Sequence, residues 1–415
     1  MRPTINWSKH KAIVLESDDW GGVTRTAAPS PEACKRAEEF WAPMKGKYDT
    51  WRKGTVETVA RMQRCFDLFR SFTGGDGRHV VLTPMVLVGN PDFQAIEANG
   101  FTKYVDIGID EGWPVPWQAD GTIEKAREGM NLGIWYPEYH GRTHHYHGQQ
   151  WVDVLRENPH DSLFGFFRLR MFGVSNTSVG LEYDNMTEDE MYEWARVGFD
   201  RFKRCFGVTP NCAINGDGSD VTERVWMRLG VRARLNAQSK GRKMGEVNPD
   251  TGMIYLARNA HLEPRGQRDE DTPCGFTGAY RETQETWKSN QPAVVSIHRK
   301  NFTSLDETED RESWTQIERY FATVRKEHPD AVYLTSWEVA QIITTGMSSA
   351  KYGNEIICRN FTEERQGIQA RVPDDGDVED VVALPQRERV AHSRGDDGSV
   401  RFAADPGSYS VLLKG

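Results

Sequence analysis

Two short stretches of this 415-residue chain carry side chains that could hold a metal ion. In the first, His140 and His144 stand four residues apart, a spacing that puts both imidazoles on one side of a helical turn. In the second, Asp18 and Asp19 follow a run of four apolar residues at 12–15. Carboxylates and imidazoles are typical ligands of zinc and related divalent cations. The two stretches therefore predict the two halves of one metal site.

Each half also has an ordinary structural explanation. Two aspartates after a strand often serve only as a loop or a helix cap, and two histidines four residues apart occur by chance. However, His145 and His147 follow at once, so four of the eleven histidines fall within eight residues. Such clustering favours a metal site or an active site.

The elements around these residues predict where they lie. Residues 12–15 are typical of a short buried strand, which leaves the two aspartates at its carboxyl end. Residues 79–88, 135–139 and 293–297 predict further strands, with helical periods between them, and alternation of this kind favours a parallel α/β fold. In such folds the loops at the carboxyl ends of the strands carry the chemistry.

Three motifs then occur in an order that resembles the polysaccharide deacetylases. They are Glu16–Gly21, Tyr139–Arg142 and Ser296–Phe302, within a resemblance that spans about residues 10–345. That family has the NodB homology fold of carbohydrate esterase family four, and the motifs are similar to those of its uncharacterised "polysaccharide (de)acetylase" branch. The resemblance implies a distorted (β/α) barrel of the NodB type that acts as a metal-dependent carbohydrate deacetylase.

The resemblance also implies a role for each motif residue. Asp19, His140 and His144 would be the metal ligands, with Asp18 as the base and His298 as the acid. One carboxylate and two imidazoles leave positions for water and substrate, which is the pattern of a catalytic site. Zn²⁺ is the expected ion, with Co²⁺, Ni²⁺ and Mn²⁺ as alternatives. The predicted substrate-binding residues are Trp20, Arg25, Arg142, Asn215, Asp217, Arg299 and Asn301.

One further motif departs from the family pattern. Residues 207–213 resemble a turn that in the family commonly has an arginine before its proline, paired with the catalytic carboxylate. No arginine stands there in this chain. Arg25 is a candidate for that pairing, and Asn215 and Asp217 are candidates for polar contacts.

Residues 159–184 are rich in aromatic side chains and have no clear period. Two interpretations stay open for them. The segment is either an insertion over the substrate groove or a loop that packs on the outside of the barrel.

The predicted reaction is removal of N- or O-acetyl groups from a polysaccharide or oligosaccharide, with a metal-activated water as the nucleophile. Asp18 would take a proton from that water and His298 would protonate the leaving group, because amide hydrolysis needs one basic and one acidic group. Two other functions stay open. One is a polysaccharide lyase that uses the same metal, Asp and His set on a uronate-containing glycan, and the other is a carbohydrate-binding or scaffold protein with a degenerate site. His298 alone could also be a core histidine at a strand end.

Composition narrows the partners and the compartment. A net charge of −9 without a long basic run argues against nucleic acid or an anionic membrane as the main partner. No apolar run approaches the length of a membrane span. The six cysteines are scattered without a C-x-x-C pair, which predicts reduced thiols. No signal peptide is visible, so we expect a cytoplasmic protein, or a secreted or periplasmic one if a leader was removed.

The composition changes near residue 344. Residues 344–353 are rich in Gly, Ser and Thr, which predicts a linker between a catalytic domain, 1–346, and a C-terminal domain, 347–415. Beyond it, turn dipeptides separate short β segments, which predicts a small β-sandwich. The predicted segments are 355–360, 368–372, 378–384, 400–403 and 409–413.

Overall fold

The computed structural model describes residues 3–23, 35, 53–144, 146–159, 162–172, 179–215, 219–265, 275–373 and 376–414. Three residues named above, Arg25, His145 and Asp217, lie outside the described residues. Within these ranges the chain forms one large parallel sheet with helices, followed by antiparallel sheets.

The first eleven strands in chain order are β1 (Ala12–Trp20), β2 (Leu82–Val86), β3 (Gly89–Pro91), β4 (Asp106–Gly108), β5 (Glu138–Tyr139), β6 (Cys212–Ala213), β7 (Ala233–Arg234), β8 (Ile254–Tyr255), β9 (Ala260–His261), β10 (Ala293–His298) and β11 (Val332–Leu334). Within the described ranges, nine of them form a curled, all-parallel sheet, and β3 pairs only with β4. The order across the sheet is β8, β7, β6, β5, β2, β1, β10 and β9, with β11 paired to the start of β1. This confirms the predicted fold class of a distorted (β/α) barrel.

The helices lie between these strands and after them. They are α1 (Val59–Arg70), α2 (Phe93–Ala98), α3 (Thr122–Asn131), α4 (Gly148–Glu157), α5 (Ser162–Arg168), α6 (Glu188–Phe206), α7 (Asp220–Arg228), α8 (Phe276–Lys288), α9 (Glu307–Glu327) and α10 (Ser336–Thr345). Thr58 caps α1 by accepting a hydrogen bond from the backbone N–H of Arg61, and Met62, Phe66 and Phe69 form its buried stripe. Within the described part of the chain, every helix is too short or too polar to cross a membrane.

Strand β1 is the centre of the core. All nine of its residues are buried. Ile13 and Leu15 belong to one apolar cluster, while Ala12 and Val14 belong to a second. Alternate side chains therefore pack on opposite faces of the sheet, as expected for a strand that is covered on both sides. Burial on both sides fixes the position of the two aspartates at its end.

The C-terminal region forms two antiparallel sheets. The strands are β12 (Met347–Tyr352), β13 (Glu355–Asn360), β14 (Gln366–Arg371), β15 (Val378–Ala383), β16 (Glu388–Arg389), β17 (His392–Arg394), β18 (Ser399–Ala404) and β19 (Gly407–Leu413). One sheet has the order β12, β13, β19, β15, β16, and the other has the order β14, β18, β17. Apolar side chains from both sheets form a common cluster, so the sheets pack on each other.

The predicted linker at residues 344–353 is wrong. Helix α10 ends at Gly346, whose φ of 80° suits glycine as a C-cap, and β12 begins at the next residue. The small polar residues there belong to a strand because β12 pairs with β13 along its whole length. The prediction from composition was wrong here because Ser and Thr favour turns only on average.

Buried charges connect the C-terminal sheets to the barrel. Arg359 of β13 is 1% exposed, and its guanidinium contacts Glu338 of α10 and, at 3.0 Å, Asp76. The hydroxyl of Tyr352 also donates to Glu338, at 2.8 Å. Removal of either side of this junction would leave buried charge without a partner.

Candidate metal centre and active site

Asp18 and Asp19 lie at the carboxyl end of β1, where the strand becomes irregular. Successive residues of a regular strand point to opposite faces. At Asp19 φ is 72°, and the pairing of β1 with β2 shifts register between Ser17 and Trp20. Both carboxylates are buried, and Asp18 is in register with His298 at the end of β10. The irregular strand end therefore lets two neighbouring carboxylates serve one site.

His140 directly follows β5, and a loop carries it and His144, in place of the predicted helical turn. Residues 142–144 form bends, and φ is 109° at Gly141 and 71° at His144. The loop folds back so that the two imidazole ring centroids are 4.4 Å apart. The spacing of four thus predicted proximity correctly, but the prediction of a helix was wrong because positive φ values break a helix.

The structure brings the three predicted ligands together. Asp19 Oδ1 lies 3.5 Å from His140 Nε2 and 3.2 Å from His144 Nε2. One ligand atom from each residue lies within 4.8 Å of the others. Burial would raise the pKa of Asp19, but the two imidazoles hold it well below its ordinary value. Asp19 is therefore an anionic ligand at neutral pH.

The orientation of His140 fits a bound cation. Its Nδ1 lies 3.2 Å from the carbonyl oxygen of Ile214, so Nδ1 carries a proton, and Nε2 of the neutral ring would present a lone pair to a cation. Nε2 is buried and, within the described part of the chain, makes no hydrogen bond of normal geometry. It faces Asp19 Oδ1, which is also an acceptor, so a cation or a proton must lie between the two atoms to offset their repulsion. The three residues fit a divalent cation held by one carboxylate and two imidazoles.

Asp18 is paired with a buried arginine. Arg258 donates two hydrogen bonds to the Asp18 carboxylate, at 2.7 and 2.5 Å, and a third from Nε to Glu16 Oε2 at 2.7 Å. Burial would raise the pKa of Asp18, but the guanidinium lowers it to about 2. Arg258 thus makes the arginine–carboxylate pairing for which Arg25 was the candidate in the sequence. Asp18 stays ionised across the physiological range.

His298 lies on the other side of Asp18 and has its own carboxylate. Its Nε2 is 3.8 Å from Asp18 Oδ2, and its Nδ1 is closely paired with Glu263 Oε1. Asn301 Nδ2 donates to Glu263 Oε2 at 2.6 Å, which fixes that carboxylate. Burial would lower the pKa of His298, but the charge of Glu263 raises it above the ordinary value. The Glu263 carboxylate therefore favours the imidazolium form of His298, which lies beside the ionised Asp18.

Two of the predicted substrate-binding residues have other partners in the fold. Trp20 is 2% exposed, donates from Nε1 to Ser17 Oγ at 2.8 Å, and packs edge-on against Trp135 with ring centroids 4.7 Å apart. Arg142 makes a two-bond ion pair with Asp106, at 2.7 and 2.6 Å. Its guanidinium also stacks 3.9 Å from the centroid of the Trp194 ring. Trp20 therefore lies in the core, and Asp106 and Trp194 contact the guanidinium of Arg142.

Three more of these residues contact buried carboxylates. Asn215 donates to Glu182 Oε2 at 2.7 Å, and Arg299 donates from Nη1 to Glu57 Oε2 at 2.8 Å. Glu57 in turn accepts the backbone N–H of Gly21, which follows the aspartates. Asn301 contacts Glu263, as described above. The described interactions of these side chains stabilise the loops around the site, and their binding of substrate stays a prediction.

Sequence reasoning missed three important residues: Arg258, Glu263 and Glu182. Arg258 follows β8 and Glu263 follows β9, and both strands have only two residues. A strand of two residues shows no period, so the pattern that located the other site residues was absent. Arg258 and Glu263 nevertheless obey the same rule, because both lie just beyond the carboxyl ends of parallel strands.

No protein-family model and no curated protein matches this chain. Similar solved structures include Puue allantoinase, at 11% identity and a TM-score of 0.45, with 82% of this chain and 92% of that chain covered. A protein named "probable Polysaccharide deacetylase", from Pseudomonas aeruginosa PAO1, has 11% identity and a TM-score of 0.45, with 82% and 93% covered. A CE4 family pseudoenzyme from Bacillus anthracis has 9% identity and a TM-score of 0.30, with 79% and 65% covered. Two of these three solved structures are thus named as members of the polysaccharide deacetylase or CE4 family.

Proposed function

We propose that this chain is a metal-dependent hydrolase that removes N- or O-acetyl groups from a carbohydrate. The observation that carries the proposal is the arrangement of two groups of side chains at one edge of the sheet. Asp19, His140 and His144 converge with ligand atoms within 4.8 Å of one another. The carboxylate of Asp18 and the imidazole of His298 stand beside them, with Oδ2 and Nε2 3.8 Å apart.

The first group would hold the metal, with Zn²⁺ as the expected ion and Co²⁺, Ni²⁺ or Mn²⁺ as alternatives. Bound there, such an ion would supply Lewis acidity to an acetyl carbonyl and to a water. The protein contributes the orientation: the Ile214 carbonyl sets the tautomer of His140, and β1 fixes Asp19. Three protein ligands leave room for water and substrate, as catalytic sites require.

Asp18 is the base in this proposal. The two hydrogen bonds from Arg258 keep its carboxylate ionised and fix its plane. Asp18 is adjacent to Asp19 in sequence, and the irregular end of β1 brings both to the same site. It is therefore positioned to take a proton from an attacking water.

His298 is the acid. The Glu263 carboxylate holds the Nδ1–H side of the ring, so Nε2 points towards Asp18 and carries the proton to be given away. Protonation of the leaving nitrogen or oxygen lets the tetrahedral intermediate collapse to acetate and the free amine or alcohol. The same pairing raises the pKa of His298, which favours the acid form that the proposal requires.

The low pKa of Asp18 favours hydrolysis over the lyase reaction. Removal of a carbon-bound proton from a uronate needs a base much stronger than a carboxylate with a pKa of about 2. A water beside a divalent cation is far more acidic than such a carbon centre, so a weak base is sufficient. A degenerate scaffold is also disfavoured, because the predicted catalytic and metal-binding side chains lie close together and keep their supporting partners Arg258 and Glu263. Those side chains are Asp18, Asp19, His140, His144 and His298. The carbohydrate part of the proposal rests on the sequence motifs.

The test is acetate release from a panel of acetylated glycans, by protein stripped with a chelator and then reconstituted with Zn²⁺. We expect acetate only from the reconstituted protein, and none from Asp18→Asn. Ultraviolet absorbance of unsaturated uronates in place of acetate would identify a lyase. Zinc binding without either product would leave the deacetylase proposal untenable.

A further inference from the structure

Glu182 is a fully buried carboxylate that accepts hydrogen bonds from three consecutive backbone N–H groups of the histidine loop. Arg142 N and Thr143 N donate to Oε1 at 2.7 and 3.0 Å, and His144 N donates to Oε2 at 3.1 Å. Successive N–H groups that converge in this way form an anion-binding concavity. A side chain from 38 residues further along the chain fills it.

Two side chains complete the contacts of this carboxylate. Trp194 Nε1 donates to Oε1 at 2.9 Å, and Asn215 Nδ2 donates to Oε2 at 2.7 Å. A carboxylate offers about four acceptor sites, and all five contacts of Glu182 come from N–H donors. A glutamine at this position would turn one acceptor atom into a donor that faces other donors.

The loop needs such support because its conformation is unfavourable by itself. A non-glycine residue with positive φ, such as His144 at 71°, occupies a sparsely populated and unfavourable backbone conformation. Gly141 approaches the same carboxylate so closely that an added Cβ would lie 2.3 Å from Oε2. Yet this conformation is the one that brings His144 Nε2 to within 3.2 Å of Asp19.

Glu182 also reaches the second imidazole, through Asn215. Asn215 follows Ile214, whose carbonyl oxygen lies against Nδ1 of His140. Glu182 thus accepts a hydrogen bond from the backbone of His144 and another from Asn215. Asn215 is the sequence neighbour of Ile214, which orients His140. We propose that Glu182 is the positioning residue of the metal centre, which sets the ligand geometry without touching the metal. This inference rests on the proposed metal site.

The experiment compares Zn²⁺ affinity, measured by competition with a chromophoric chelator, in the wild type and in Glu182→Gln. Loss of a residue that orients metal ligands typically weakens binding about 10- to 100-fold, and we expect a change of that size. The visible absorption of the Co²⁺-substituted protein should change as well, because the ligand geometry is altered. Glu338→Gln is the matched control, since Glu338 is equally buried in a distant charge cluster. It should lower the melting temperature without changing Zn²⁺ affinity or the Co²⁺ spectrum.

Wild-type affinity in Glu182→Gln, or an equal loss in Glu338→Gln, would overturn this inference and leave the proposed function standing. Failure of the wild type to bind Zn²⁺ would overturn the proposed function and this inference with it. If Glu182→Gln does not fold, hydrogen exchange in the metal-free wild type decides the matter. Slow exchange of the amides of residues 142–144 supports the role of Glu182, and exchange at unprotected rates overturns it.

Discussion

Replacement of Arg258 by alanine would leave Glu16 and Asp18 buried without their cation. Burial alone would raise the pKa of Asp18. Arg258 more than reverses this effect, so the pKa of Asp18 falls from its ordinary value of 3.8 to about 2. That difference corresponds to roughly 2.5 kcal/mol of folding stability at neutral pH. Removal of one partner from a buried ion pair typically costs about 3–5 kcal/mol. Since two carboxylates lose their partner, we expect Arg258→Ala to lose about 3–5 kcal/mol of unfolding free energy at pH 7.

The loss should grow as the pH rises. In the wild type the folded pKa of Asp18 lies below its unfolded value, so its contribution is complete above pH 3.8 and is lost as the pH falls towards 2. Without Arg258, burial would raise the pKa of Asp18 above its unfolded value and would raise further the pKa of Glu16, which is already elevated. Each then destabilises the fold increasingly as the pH rises from its unfolded pKa to its raised folded pKa. The difference between variant and wild type should therefore increase from about pH 4 to pH 7.

Urea unfolding of chelator-treated protein, followed by tryptophan fluorescence at several pH values, measures this difference. Arg258→Lys is the control, because it keeps the charge but lacks the planar fork that bridges both carboxylates. It should lose less stability than the alanine variant. Equal stability of Arg258→Ala and wild type at pH 7, or a difference that does not vary with pH, would refute the reasoning.

Three further predictions concern Glu263, His298 and the C-terminal sheets. Glu263→Gln removes the charge that raises the pKa of His298. The basic limb of the pH profile of kcat/KM should therefore move to lower pH. A limb that stays in place would contradict the pairing of Glu263 with His298. His298→Ala should lose that limb and about 10²- to 10⁴-fold in rate on an amide substrate, but less on activated aryl acetates, whose leaving group needs no proton. Truncation before β12 removes Arg359, the buried partner of Glu338 and Asp76, so chemical unfolding should show a loss of about 3–5 kcal/mol. A truncated chain as stable as the whole chain would show that this junction contributes nothing.

The strands with a run of apolar residues were predictable from the sequence. Strand β1 was expected from 12–15 and the late strand β10 from 293–297, and the structure has both. Short apolar runs of this kind are typical of strands that are buried on both faces. The histidines and aspartates could be grouped because their residue types suit a metal, although the loop between the histidines could not be told from a helical turn.

The supporting residues could not be predicted because their partners are distant in sequence. Arg258 meets Asp18 across 240 residues, and Glu182 meets the histidine loop across about 40. Neither belongs to a periodic element or a motif, and buried ion pairs depend on the three-dimensional fold. Composition was misleading at residues 344–353, where Gly, Ser and Thr suggested a linker and strand pairing produced β12.

The metal content of the purified protein and of its His140→Ala and His144→Ala variants tests the proposed site most directly. His147→Ala is the matched control, because His147 caps α4 and accepts the N–H of Gln150. We predict about one divalent ion per chain in the wild type and in His147→Ala, and loss of most of it in the other two variants, with circular dichroism unchanged. Stoichiometric metal in both His140→Ala and His144→Ala would contradict the assignment of the metal centre.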